Sequence, residues 1–93
     1  MKTFDYTVRE RSGIHARPAV KLAVESQKYD SKIIIFLDGK TADASDVMAI
    51  MGLNIKFGDI IRVEITGADE DVAYDGLRNF FFGNPNLTDS CHI

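Results

Sequence analysis

A single cysteine, Cys91, leaves the chain no partner for an internal disulfide, and a reducing compartment is the simpler setting for such a sequence. It stands beside His92 near the end of the chain, and two adjacent ligands fall short of the closed donor set of a metal centre. Neither a metal nor a cofactor is therefore expected. Basic residues are outnumbered, 11 Lys and Arg against 14 Asp and Glu, for a net charge of -3. A nucleic-acid footprint would need a basic stripe with interleaved aromatics, so nucleic-acid binding is not expected. Long apolar runs are missing too. Ile33 to Leu37, a run that no other exceeds, is far short of the ~20 residues that cross a bilayer, and Met1-Lys2-Thr3-Phe4-Asp5 lacks the apolar stretch of a signal peptide. A cytoplasmic protein without membrane insertion is the expectation. No internal repeat, low-complexity segment or linker interrupts the chain, so its 93 residues, 45% hydrophobic, read as one domain over 1–93 with 84–93 as a C-terminal tail. That size allows a modest core without disulfides or metals as staples.

What is present is regular patterning. Residues 3–8 alternate, with Phe4, Tyr6 and Val8 on one side and Thr3, Asp5 and Thr7 on the other, the period of a half-buried strand. From Ala16 to about Gln27, Ala19, Leu22, Ala23 and Ser26 recur at helical spacing, with Tyr29 continuing the stripe. Asp38-Gly39 is a tight hairpin signal between strands 32–37 and 40–43. A short helix follows, capped by Ser45 or Asp46, with Val47 to Met51 as its body and Gly52 as its stop. Residues 60–66 alternate again, with Ile61, Val63 and Ile65 as the inward set. The last helix opens on Asp69, Glu70 and Asp71 at its positive end, buries Ala73, Leu77, Phe80 and Phe81, and ends at Gly83-Asn84-Pro85.

The order βαββαβα, with one apolar face per strand and one stripe per helix, predicts an α+β fold. It is a two-layer open-faced sandwich, a mainly antiparallel four-stranded sheet with three helices on one side. With Ile33, Ile35 and Leu37 inward, Ile34 and Phe36 face outward in mid-sheet. They are tolerated surface residues, an oligomer contact, or a floor for Leu87 and Ile93 of the tail.

Chemistry concentrates in Ser12-Gly13-Ile14-His15-Ala16-Arg17-Pro18-Ala19. His15 sits just ahead of a helix start, where unpaired backbone N–H groups and the positive dipole end favour a phosphoryl group. Gly13 lets the chain turn out of the strand, and Pro18 suits the first helical turn. Arg17 offers a planar, permanently charged fork to phosphate oxygens, and Ser12 a hydroxyl. Helix end and guanidinium together disfavour imidazolium, leaving a neutral ring nitrogen able to attack phosphorus.

This octapeptide resembles the active-site segment of the histidine-containing phosphocarrier (HPr) family of the bacterial phosphoenolpyruvate:sugar phosphotransferase system. Lys28-Tyr29-Asp30, Gly39-Lys40-Thr41, Val47-Met48-Ala49-Ile50-Met51 and Gly67-Ala68-Asp69-Glu70 fit the same family at matching intervals, over roughly residues 2–83. The resemblance implies a carrier rather than a self-sufficient enzyme. His15 would accept a phosphoryl group from enzyme I, charged by phosphoenolpyruvate, and pass it to sugar-specific enzyme IIA domains. Transcriptional regulators are further candidate partners. Family behaviour points to the δ nitrogen; the residues alone leave either ring nitrogen open. Ser12, Ala16 and Arg17 would hold the phosphate, Arg17 also balancing charge. A regulatory module that signals phosphorylation state instead of feeding sugar uptake is the alternative use of the same fold.

Two further assignments follow from the resemblance. Many members carry a phosphorylated regulatory serine at the start of the short helix, and alignment on Gly39-Lys40-Thr41 and Met48 puts Asp46 there. Asp46 lacks the hydroxyl and reads as an N-cap, and Ser45 is out of register for the modification. In a helix of barely two turns not every one of Val47, Met48, Ile50, Met51 and Leu53 can face inward, and methionine suits surfaces that receive several partners. Val20, Val47, Met48 and Met51 are accordingly assigned to partner contact, because the family docks partners on this helix and the first one.

Overall fold

The computed structural model describes residues 1–9, 14 and 16–83, in the order β1 (Lys2–Thr7), α1 (Ala16–Ser26), β2 (Lys32–Leu37), β3 (Lys40–Asp43), α2 (Val47–Gly52), β4 (Ile60–Thr66) and α3 (Glu70–Phe82). The four strands form one sheet in the order β1-β4-β2-β3, every pairing antiparallel. The α+β open-faced sandwich expected from the periodicities is what the chain builds, with α1 packed on α2 and α3, α2 against β3, and α3 across β1 and β4.

Registers follow from which faces are apolar. Val63 lies between Phe4 of β1 and Ile35 of β2, and Ile65 between Lys2 and Ile33, so the inward residues of adjacent strands share rows. Ile35, Ile61, Val63 and Ile65 are wholly buried beneath the helices. The stripe Ala19, Leu22, Ala23 and Ser26 of α1 is buried as its spacing requires, and Tyr29 is half-buried against the core. At the Asp38-Gly39 turn both φ angles are positive, 49° and 80°, as a two-residue hairpin of that twist needs. Ile34 and Phe36 are half-buried on the open face.

Three expectations change in detail. β1 is Lys2–Thr7, one residue earlier than the alternation suggests, yet Val8 is still buried because its N–H donates to the Asp59 carbonyl at 2.8 Å. Phe80 is only half-buried, since adjacent helical residues point about 100° apart and Phe81 takes the inward direction. Phe81 instead packs on Tyr6 with ring centroids 4.7 Å apart and on Phe4 at 5.9 Å. Finally, α2 does end at Gly52, but Gly52 is its last helical residue and not a left-handed terminator; the residue with left-handed backbone is Asn54, φ 55°. Gly52 has no positive φ, so the left-handed turn out of the helix comes two residues later, where an asparagine tolerates that conformation.

Candidate functional site

Of the His15 segment, Ser12, Gly13 and His15 itself lie outside the described residues; what can be built is the frame on either side. Ile14 is buried, and its N–H donates to the Ile55 carbonyl at 3.1 Å. Two residues on, α1 begins at Ala16. His15 therefore occupies, in the chain, the one position between a backbone-anchored residue and a helix start.

The first N–H groups of α1, those of Ala16 and Arg17 among them, have no partner within the helix, because no carbonyl precedes them by four residues. The first turn of α1 carries no acidic residue, so nothing in the helix itself offsets its positive end. Arg17 is exposed, and Pro18, whose missing N–H costs nothing this early in a helix, is buried. Together these features offer an anion backbone donors that have no partner within the helix and an accessible guanidinium.

Around this frame lies an apolar surface. Met48 is 75% exposed, Val20 47% and Met51 39%, on two helices that pack against each other. Val47, from the same candidate set, is half-buried and packed against the core. Sequence reasoning passed over Phe57, 62% exposed in the segment between α2 and β4, because an aromatic beside Gly58 reads as turn chemistry rather than as surface.

Asp46 is the N-cap of α2, its carboxylate accepting from the Ala49 N–H at 3.2 Å. Ser45 is engaged elsewhere: its hydroxyl and N–H both donate to the Asp43 carboxylate, at 2.6 and 2.9 Å. Those two bonds, the hydroxyl first, hold Asp43 below the usual carboxylate range. Cys91, His92 and the rest of the tail from 84 lie outside the described residues. Among the described residues no group of three or more His, Cys, Asp and Glu is placed to hold a metal, and no helix is long and apolar enough to cross a membrane.

A family model, the PTS HPr component phosphorylation site, matches residues 2–82. The chain belongs to the HPr family. Its members are phosphocarrier proteins of the phosphotransferase system, which serves sugar transport, and not catalysts in their own right. The phosphocarrier protein HPr of Lysinibacillus sphaericus is 36% identical over 77 residues, 83% of this chain and 88% of that one. The solved structure of HPr-C-His from Thermoanaerobacter tengcongensis matches with a TM-score of 0.82 at 30% identity, over 87% of this chain and 91% of that one. A histidine-containing phosphocarrier protein from Mycoplasma gives 0.81 at 32% identity, over 84% and 89%. The helix start at Ala16, the anchored Ile14 and the exposed faces of α1 and α2 are thus features of an HPr-family domain.

Proposed function

We propose that this HPr-family chain carries a phosphoryl group on His15, taking it from enzyme I and delivering it to sugar-specific enzyme IIA domains. The observation that carries the reading is the family match over residues 2–82, which takes in the His15 segment, joined to a helix that begins immediately after that histidine. A neutral imidazole nitrogen of His15 attacks phosphorus in line, the bond to the donor's imidazole breaking as the new one forms. Phosphoryl transfer asks little beyond positioning and charge stabilisation. The N–H groups of Ala16 and Arg17 and the guanidinium of Arg17 supply both, with the Ser12 hydroxyl as an additional donor. Nothing in this route calls for a metal or nucleotide.

Docking falls to Val20, Val47, Met48 and Met51, with Met48 as the most exposed of them. Contact with each partner must be brief, which suits a small apolar patch rather than a large obligate interface. Asp46 fills the regulatory position as a helix cap and offers no hydroxyl to a kinase.

The test is incubation with phosphoenolpyruvate and enzyme I, followed by assay for acid-labile phosphate. The chain should be labelled, and His15→Ala should be unlabelled with an unchanged unfolding midpoint. Labelling of His15→Ala, or no labelling of the parent, overturns the reading.

A further inference from the structure

We propose that Asn54 is a positioning residue for the phosphoryl acceptor, acting through backbone alone; the inference rests on His15 being that acceptor. Asn54 has φ 55°, a left-handed conformation that most residues with a Cβ adopt at a cost and that asparagine tolerates. Its N–H donates to the Met51 carbonyl at 3.1 Å, and the Leu53 N–H donates to the Ile50 carbonyl at the same distance. The last turn of α2 is thereby closed, and the chain must leave it through Asn54. The next residue, Ile55, is buried and presents its carbonyl to the Ile14 N–H at 3.1 Å. Ile14 is buried as well, and His15 follows it directly in the chain.

A continuous path therefore runs from α2, the helix that exposes Met48 and Met51, through the left-handed turn at Asn54 and one buried backbone hydrogen bond, to the residue beside His15. Both ends of that bond are anchored by buried isoleucines, so the direction of the Ile55 carbonyl is set by the turn before it. If residue 54 is driven out of the left-handed region, that carbonyl turns and Ile14 loses its acceptor, leaving a buried N–H unpaired. Transfer at phosphorus is sensitive to displacements of an ångström at the nucleophile, so the acceptor should slow before the fold is lost.

Asn54→Gly keeps the positive φ available, whereas Asn54→Val resists it, its β-branched side chain being poorly suited to that region. In the intact chain, charged by enzyme I and phosphoenolpyruvate, Asn54→Gly should accept phosphate within twofold of the parent rate and Asn54→Val at least tenfold more slowly. Hydrogen exchange of the Ile14 amide should quicken in Asn54→Val and not in Asn54→Gly. The His15 ring titration, followed by NMR, should move in the valine variant alone. Asp69→Asn, at the start of α3 and bonded to the turn that follows α1, serves as a control that loses stability without losing rate. Where Asn54→Val is unfolded, Asn54→Ala carries the same comparison. Parental rate and Ile14 protection in the folded valine or alanine variant would overturn the proposal. Failure of the parent chain to accept phosphate would overturn the carrier reading instead, so the two failures are distinguishable.

Discussion

The Asp69 carboxylate accepts two hydrogen bonds from Ser31, one from its N–H at 2.8 Å and one from its hydroxyl, across 38 positions of sequence. A third comes from the Asp30 N–H at 2.9 Å. Asp69 is the N-cap residue of α3, yet its side chain makes no bond to that helix. The carboxylate is spent instead on the turn between α1 and β2, tying the beginning of one helix to the end of another.

Acid should release this tie. The Ser31 hydroxyl, then the Asp30 N–H, holds the folded Asp69 below the usual carboxylate range, while the unfolded chain titrates at about 3.9. The folded state thus binds fewer protons over that interval. Its contribution to stability is present in full above the unfolded value and is lost as pH falls through the folded one. Glu70 adds the same sign, through the bond from the Met1 ammonium and then that from the Gly67 N–H. Urea midpoints measured from pH 6 down to pH 2 should fall below about pH 4. Asp69→Asn should flatten that limb, and an equally steep limb in the variant would remove Asp69 from the account.

Gly67 stands against the same turn. A Cβ there would lie 2.6 Å from the Ser31 Cα, a backbone atom that cannot step aside, and φ is 155°. Gly67→Ala should therefore cost about 1–3 kcal/mol, the usual range for overpacking, with the denaturant slope unchanged. An alanine variant as stable as the parent would show that the turn can retreat.

Gly76 lies in mid-α3, where alanine ought to gain up to about 1 kcal/mol from helix propensity. The Tyr29 hydroxyl reverses that expectation, because a Cβ at Gly76 would come within 1.8 Å of it. Tyr29 is half-buried, and its hydroxyl donates to Glu25 at 3.0 Å, so displacing the ring sacrifices both packing and a hydrogen bond. Gly76→Ala should be destabilised by about 1 kcal/mol net on thermal unfolding. Tyr29→Phe in the same chain should recover part of the loss, and a more stable Gly76→Ala would mean the ring moves freely.

Arg17 separates function from fold. It is exposed, and a carboxylate in the first turn of a helix is favourable by about 0.3–1 kcal/mol, so Arg17→Glu should be as stable as the parent or slightly more so. Phosphate acceptance from enzyme I should nevertheless slow at least tenfold, as the charge facing the incoming anion is reversed. An unchanged rate would assign charge balance to another group.

Some of the site could be read from the chain and some could not. The helix start after His15 is legible because the residues around it each have a local reason to precede or open a helix, and α1 does begin at Ala16. The local pattern narrows the cap of α2 to Ser45 or Asp46, and the bond from the Ala49 N–H decides for Asp46. Asn54 escaped notice because Gly52 carries the stronger local stop signal. The need for a left-handed residue at 54 arises from where Ile55 must direct its carbonyl, a requirement set by Ile14 far away in the sequence.

The sequence by itself determined the elements and their buried faces, since periods of two and of 3.6 are local properties that side-chain spacing fixes before any long-range contact exists. It also determined the two-layer class, because four strands and three helices with one apolar face each have few ways to cover one another. Only the tertiary structure decided the strand order β1-β4-β2-β3, the partners of Asp69 and the crowding of Gly76. Each of these depends on which distant backbone or side chain arrives alongside, and a carboxylate or a glycine carries no local mark of the neighbour it will meet.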